Sequence, residues 1–311
     1  MSTTDTRAPA PASGPPAKRT EGQAAARGRR AWRPGLSRLH GLALSLPFIF
    51  IVLLFVAYPF IRLVKIALGP PGGLENLTAF LDNGANLRVL GTTFWVSALV
   101  TLLSVALGAN IAWSLKTTRS RFMRLLMLSA IFVPFWMGSV IKLYAWTILL
   151  QTYGLINRIL MGIGLTNEPL HLLYNETAVV IGMVYQMLPY SVLPLYVAFH
   201  TIDLDLIRAA ESLGASRLRA LASVVVPLAA PGVLATVIIV YVISIGFFLT
   251  PVVLGGFTAP FSASLIAQNI FDFFDLIGAA VTAVFLLFGG LAVVLTGYKL
   301  VGKDRLRKAL G

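Results

Sequence analysis

The chain has 311 residues, 57% hydrophobic and only 12% charged, against roughly 25% charged in soluble domains, so it has too few ionic side chains to cover a water-facing globule. Lipid is the solvent that suits it, and a net charge of +13, which would suggest nucleic acid in a soluble protein, has little soluble surface to act from. Cysteine is absent, which excludes disulfides, thiolate metal sites and cysteine nucleophiles.

Residues 1–40 are rich in Pro, Ala, Gly and Arg and nearly free of large apolar side chains. They bury too little to fold alone and read as a disordered basic cytoplasmic tail. The apolar run that follows is longer than the h-region of a signal peptide and shows no small-residue cleavage site, so an uncleaved first span is expected, with the transmembrane domain covering 41–311. A bilayer core of about 30 Å needs about 20 apolar residues in a helix, because every backbone polar group must find its partner within the segment. Six stretches meet that demand: 41–61, 89–115, 125–150, 178–199, 233–253 and 277–300. The expected fold is therefore an all-α integral membrane protein with about six transmembrane helices.

An even number of spans puts both termini on one side, and basic residues choose the side. Lys and Arg crowd the N-terminal tail. They recur after the second span (Lys116, Arg119, Arg121, Arg124), after the fourth (Arg208, Arg217, Arg219) and at the end of the chain (Lys299, Lys303, Arg305, Arg307, Lys308). Only Arg62, Lys65, Arg88, Lys142 and Arg158 fall opposite or inside a span. Both termini are thus expected in the cytoplasm, and the positive balance is explained by topology without nucleic acid. On the opposite side, 152–177 carries a short apolar helical pattern (Leu155, Ile156, Ile159, Leu160, Ile163), and 255–275 carries Gly, Pro, Ser and the aromatics Phe271, Phe273 and Phe274. These two outer segments either receive an external partner or simply cap the bundle.

Between the fourth and fifth spans, 201–228 is too polar for the bilayer and too patterned for a linker. Leu206, Ala209, Ala210 and Leu213 recur at i, i+3, i+4 and i+7, which predicts one apolar face of a short helix, with Asp205, Arg208 and Ser212 on the other. Asp203 or Asp205 is suited to cap its start. Gly214 is suited to end it, since glycine enters the left-handed region without steric cost. Ser216 suits the N-cap of a second helix, whose Leu218, Leu221, Ala222 and Val225 repeat the spacing up to Pro227.

The run Arg208-Ala209-Ala210-Glu211-Ser212-Leu213-Gly214-Ala215-Ser216, followed by Val224, Val226 and Pro227, resembles the EAA loop of ABC importer permeases: Glu-Ala-Ala, three residues, Gly, nine residues, Ile, one residue, Leu-Pro. Ala209, Ala210, Gly214 and Pro227 match in register, and Val224 and Val226 are aliphatic replacements. The resemblance implies the type I importer permease fold in a bacterial inner membrane, and a loop at 201–228 that docks into a cytoplasmic ATP-hydrolysing subunit through Leu206, Arg208, Ala209, Ala210, Glu211, Leu213, Gly214 and Pro227. The family's first Glu is Arg208 here. Glu211, three residues on, either supplies the acidic contact or pairs with Arg208. Pro134-Phe135-Trp136 through Lys142-Leu143-Tyr144-Ala145-Trp146, Gln151-Thr152-Tyr153-Gly154-Leu155-Ile156-Asn157, and Thr250-Pro251-Val252-Val253-Leu254-Gly255-Gly256 are similar to permeases of spermidine/putrescine-type systems. That implies a second permease subunit, an extracytoplasmic binding protein and a polyamine substrate. Relatives of this subgroup also resemble carriers of other small organic or metal-ion solutes.

No Gly-x-x-x-x-Gly-Lys-Ser/Thr phosphate loop occurs, so ATP is expected to be used by a partner chain and no cofactor by this one. His40, His171 and His200 lie near span ends without metal-ligand spacing, and no Gly-x-Ser-x-Gly elbow is present. No catalytic residue is expected. Polar side chains at membrane depth usually face the bundle interior or a water-filled path, which singles out Asn110, Lys142, Tyr144, Gln186 and Tyr190. Lys142 either lines the path or snorkels to the interface, and Asn110 and Gln186 serve equally as interhelical hydrogen-bond glue. The rival class is a secondary carrier driven by an ion gradient, but the inverted repeat and mid-membrane acids common in such proteins are not detectable.

Overall fold

The structure is a computed structural model, and it describes residues 38–256 and 258–301. The expected tail up to residue 37 and the basic cluster from Lys303 onward lie outside these residues. The described residues fall into two units that divide between Ala57 and Tyr58. The first contains helix α1 (Arg38–Val52) and a π-helical turn at Leu53–Ala57.

The second unit holds α2 (Tyr58–Ala67), α3 (Glu75–Asp82), α4 (Gly84–Thr117), α5 (Arg121–Trp136), α6 (Ser139–Leu150), α7 (Leu155–Gly162) and α8 (Glu176–His200). It continues with α9 (Leu204–Ser212), α10 (Arg217–Ala220), α11 (Val226–Ile245), α12 (Ser262–Phe271) and α13 (Leu276–Val301). Strands do not occur among the described residues. Among the described residues five helical runs are long and apolar enough to cross a bilayer: Ser45–Ala67, Gly84–Thr117, Glu176–His200, Arg217–Ile245 and Leu276–Gly297.

The expected third span, 125–150, is not one helix. It is broken between Trp136 and Ser139, where Arg121–Trp136 and Ser139–Gly162 meet at 108°. Pro134 contributes no N–H and its ring crowds the carbonyl one turn back; the chain then leaves helical geometry at Met137 (ψ 140) and Gly138 (ψ 139). Counting the bent pair as one gives six spans. The fifth span is displaced from its expected place at 233–253. Its helical run begins at Arg217, inside the polar loop, and stops at Ile245 before Gly246, while Pro251–Gly255 forms a separate π-helical turn. The expected stop at Pro227 fails for a local reason. Leu221–Val225 is π-helical, and the wider turn directly before the proline makes room for the ring without ending the helix.

Helices α4, α8 and α11 form the centre. Val96 and Val100 of α4 pack on Val179, Met183 and Met187 of α8 and on Val240 of α11. In lipid no hydrophobic gain separates the two sides of a helix, so close backbone approach and van der Waals contact hold such bundles. The glycines mark where this happens: Gly108 of α4 lies on Ser191 of α8, Gly232 of α11 on Ala198 of α8, and Gly289 of α13 on Phe94 of α4. A buried hydroxyl pair, Thr93 and Ser262 at 3.0 Å, ties α12 to α4.

Candidate functional site

The polar loop folds as a helix, a sharp turn and a second helix. Asp203 caps α9, its Oδ1 accepting from the Asp205 amide at 2.9 Å. At the other end Leu213 closes the helix and Gly214 turns left-handed at φ 88°. The Ala215 amide donates to Ala210 O at 3.1 Å and the Gly214 amide to Glu211 O at 3.0 Å. This pair of bonds satisfies the last carbonyls in the Schellman arrangement. Ser216 occupies the N-cap position of α10, but its side chain makes no capping bond.

The faces of α9 differ from the simplest reading of its pattern. The buried side is Ile207, with Leu204 and Ala210 partly buried, packed with Phe199, Ile202, Leu115 and Ala220. Leu206 and Ala209 are exposed, and Leu213 and Leu218 are 90% and 80% exposed. Of the predicted apolar face only Ala210 turns inward; the other three members form an exposed apolar strip among the described residues. Arg208 pairs with Asp205 at 2.7 Å and not with Glu211, leaving Glu211 without an ion pair among the described residues. At this exposure the pair is worth a few tenths of a kcal/mol, about 0.3–0.5, and serves orientation more than stability. Pro227 lies exposed within the continuous run Arg217–Ile245.

One residue counted only as a topological charge has a specific place. Lys116, on the last turn of α4, sends its Nζ to Phe199 O at 2.6 Å and also donates to Ile202 O. The same ammonium lies 5.6 Å from the centroid of the Trp113 ring. Its acceptors are carbonyls at the C-terminus of α8 and in the turn into α9.

The residues predicted for the path separate into two groups. Lys142 and Gln186 line one cavity of about 30 Å³ with Pro134, Phe135, Tyr185 and Pro189, at the break of the bent span. That volume holds about one water. Tyr190 stands beside it, edge-to-face with Phe135 at 5.6 Å. Tyr144 and Asn110 are exposed on α6 and α4 and do not line it. Gln186, 9% exposed, donates to Thr250 Oγ1 at 2.6 Å, so it does join two elements of the bundle. Thr250 was not legible as its partner, being one of many hydroxyls near a span end.

The two segments expected on the outer face are both structured. Asn157, fully buried in α7, donates to Gln151 O, Thr152 O and Leu170 O and accepts from the Leu170 amide at 3.0 Å. Tyr174, at φ 61°, donates its amide to Leu254 O at 2.9 Å, and Thr258 Oγ1 bonds to Tyr174 O. A cavity of about 430 Å³ opens here among Gln151, Thr152, Tyr153, His171, Leu173 and Tyr174. His200 stacks on Tyr196 at 5.6 Å. No group of three acidic or histidine ligands comes together among the described residues.

Five apolar helical runs, a sixth broken one and a helical elbow between two of them define a multi-pass α-helical membrane protein. The chain belongs to the family of binding-protein-dependent transport system inner membrane components, which it matches over residues 22–307. It is thus a membrane component of a transport system. Over 183 residues it is 34% identical to the spermidine/putrescine transport system permease protein PotB of Escherichia coli (strain K12), covering 59% of this chain and 66% of that protein. It is 30% identical over 195 residues to the inner membrane ABC transporter permease protein YdcU of the same organism, covering 58% and 61%. It is 27% identical over 187 residues to the molybdenum transport system permease protein ModB of Azotobacter vinelandii, covering 60% and 80%. The match thus spans just under two thirds of the PotB length. Among solved structures, a bacterial alginate ABC transporter in complex with its alginate-bound periplasmic protein has a chain that superposes with TM-score 0.72 at 18% identity, covering 85% of this chain and 94% of that one. A second structure of a bacterial ABC transporter that imports alginate gives 0.66 at 19%, covering 83% and 93%. The fold is that of ABC importer permeases.

Proposed function

We propose that the chain is the permease subunit of an ATP-driven importer whose ATPase subunits dock on α9. The observation that carries this is the apolar strip of Leu206, Ala209 and Leu213, continued by Leu218, on a helix whose opposite side is buried in the bundle. Such a strip on a polar loop is costly in water and is relieved by a partner groove. Arg208 and Glu211 flank it as polar contacts, and Ala209 lets a partner surface approach closely. Both termini and this loop are cytoplasmic, in keeping with their basic residues. A second, related permease completes the path, and a soluble binding protein delivers solute to the outer segments around Tyr153 and Tyr174. ATP closes the ATPases, draws the two α9 helices together and opens the path outward, so that ATP biases a two-state permease pair. ATP is used by the partner, with no cofactor held by this chain.

The similarity to PotB supports a polyamine as the solute, passing Lys142, Gln186 and Tyr190, with Asn110 and Tyr144 facing the second subunit. One feature favours a second reading for the solute alone. Lys142 is a cation at the broken span, and the five described apolar runs contain no carboxylate other than Glu176, at the first turn of α8. A small organic solute without net positive charge suits that wall better than a polycation. The test of the docking claim is Leu213→Asp, a change at a side chain that is 90% exposed. The variant is expected to insert and fold, yet to lose the ATPase on affinity purification; wild-type recovery of the ATPase defeats the claim. Uptake of radiolabelled spermidine by the purified, reconstituted complex decides between the solutes, with absence of uptake favouring the second.

A further inference from the structure

We infer that Lys116 is the positioning residue that fastens the coupling helix to the membrane bundle, so that α4, the end of α8 and α9 move as one body; this rests on the importer reading above. A helix C-terminus carries partial negative charge and its last carbonyls lack the intrahelical i+4 donor; here Phe199 O accepts from the Ile202 amide at 3.1 Å and has room for a further donor. At the end of α8 that charge meets an ammonium supplied by a different span. Lys116 Nζ takes Phe199 O at 2.6 Å and Ile202 O together. Ile202 immediately precedes Asp203, the N-cap of α9, so the bond grips the chain where the coupling helix begins.

The surroundings hold the lysine in that pose. Trp113, one turn back on α4, places its ring 5.6 Å from Nζ, and the same ring meets Phe199 edge-on at 5.8 Å. Leu115 of α4 and Phe199, Ile202 and Ile207 pack in one buried cluster beneath it. Apolar packing alone permits α9 to slide on this cluster, because dispersion is non-directional. A pair of charge-assisted bonds to two carbonyls three residues apart fixes direction as well as distance. Force applied to Leu206 and Leu213 from below therefore reaches α4 through Lys116 and does not dissipate in the turn at 201–203. The sequence already places Lys116 after an apolar span; only the fold shows that it caps a helix other than its own.

The test uses the full complex, isolated with its ATPase subunits. The chain has no cysteine, so Arg119→Cys with Ser212→Cys gives two spin labels, one past the end of α4 and one on the exposed side of α9. Their distance is read by electron–electron double resonance without nucleotide and with ATP plus vanadate. In the otherwise wild-type protein the distance distribution is expected to stay the same in both states. In Lys116→Met, which keeps the aliphatic stem and removes the bonds, a second, longer population is expected with ATP and vanadate. Lys116→Arg, which donates to both carbonyls, is expected to restore the single distribution. An unchanged single distribution in Lys116→Met overturns the inference. So does a second population in Lys116→Arg equal to that in Lys116→Met, since the side chain's bulk and not its bonds would then be responsible. A complex that contains no ATPase, or turns over no ATP, refutes the importer reading itself.

Discussion

Gly108 offers a sharp test of how the bundle is held. A methyl group built there stands 2.4 Å from Ser191 Oγ, 2.9 Å from Ser191 Cβ and 3.3 Å from Ser191 C. Rotating the hydroxyl relieves the first contact but not the other two, which are fixed by the α8 backbone. Carbon atoms prefer 3.5–4.0 Å, so α4 and α8 must separate by roughly 1 Å, and a gap of that size forfeits a quarter to a half of each contact's attraction. Overpacking of this kind costs about 1–3 kcal/mol, offset by about 0.5–1 kcal/mol that alanine gains over glycine in a helix. Gly91, on the same α4, has nothing within 4 Å of its added methyl. Gly91→Ala therefore keeps the gain without the clash. In mild detergent, with about 2–4 °C of Tm per kcal/mol, Gly108→Ala is expected to melt several degrees below wild type and Gly91→Ala at or slightly above it. Adding Ser191→Gly to Gly108→Ala should recover part of the loss, since it removes two of the three opposing atoms' side-chain contacts. Equal destabilisation by Gly91→Ala and Gly108→Ala refutes the reasoning, because steric contact would then not be what distinguishes them.

Asn157→Ala removes a buried amide that serves four backbone groups and should cost about 3 kcal/mol; limited proteolysis ought to cut near Leu170 much faster than in wild type. Gln186→Leu and Thr250→Val, combined in a double-mutant cycle on thermal stability, should show a coupling of about 0.6–1.7 kcal/mol, and a value near zero means that the 2.6 Å bond does not join the two elements. Gly214→Val forces a branched side chain into φ 88° at a cost of at least about 1–2 kcal/mol, which should loosen the α9 turn, seen as faster amide exchange at the substituted position and at Ala215 with the spans unaffected.

The spans were legible because a helix in lipid must satisfy itself. A long apolar run therefore announces its own structure, as at 178–199 and 277–300, each extended by only a residue or two at either end. The elbow at 201–228 was legible for a different reason: Asp203 and Gly214 are local signals that act on the backbone at their own positions, whereas Ser216 stands at the N-cap of α10 without making the capping bond. The two boundary errors share one cause. Pro227 was expected to end a helix, where a π-helical turn absorbs it, and 125–150 was expected to be one span, where the chain breaks two residues after Pro134. Both outcomes depend on neighbouring turns and packing, which composition does not record.

The face of α9 was the least legible element, and the reason bears on function. In a soluble protein an i, i+3, i+4, i+7 apolar pattern points to the core, because burial from water is the dominant force. The helix α9 carries that pattern at Leu206, Ala209, Ala210 and Leu213, and beside it a shorter i, i+3, i+6 series, Leu204, Ile207 and Ala210, which shares Ala210 with it. Only one side can pack on the bundle. The choice is made by Ile207, which meets Phe199 and Ile202, and by Lys116, which fixes the chain at Ile202. The stronger sequence pattern is thereby turned outward. A helix that spends its weaker apolar face on its own fold and exposes its stronger one has a second surface to satisfy, and in this chain that surface lies on the loop that joins two spans.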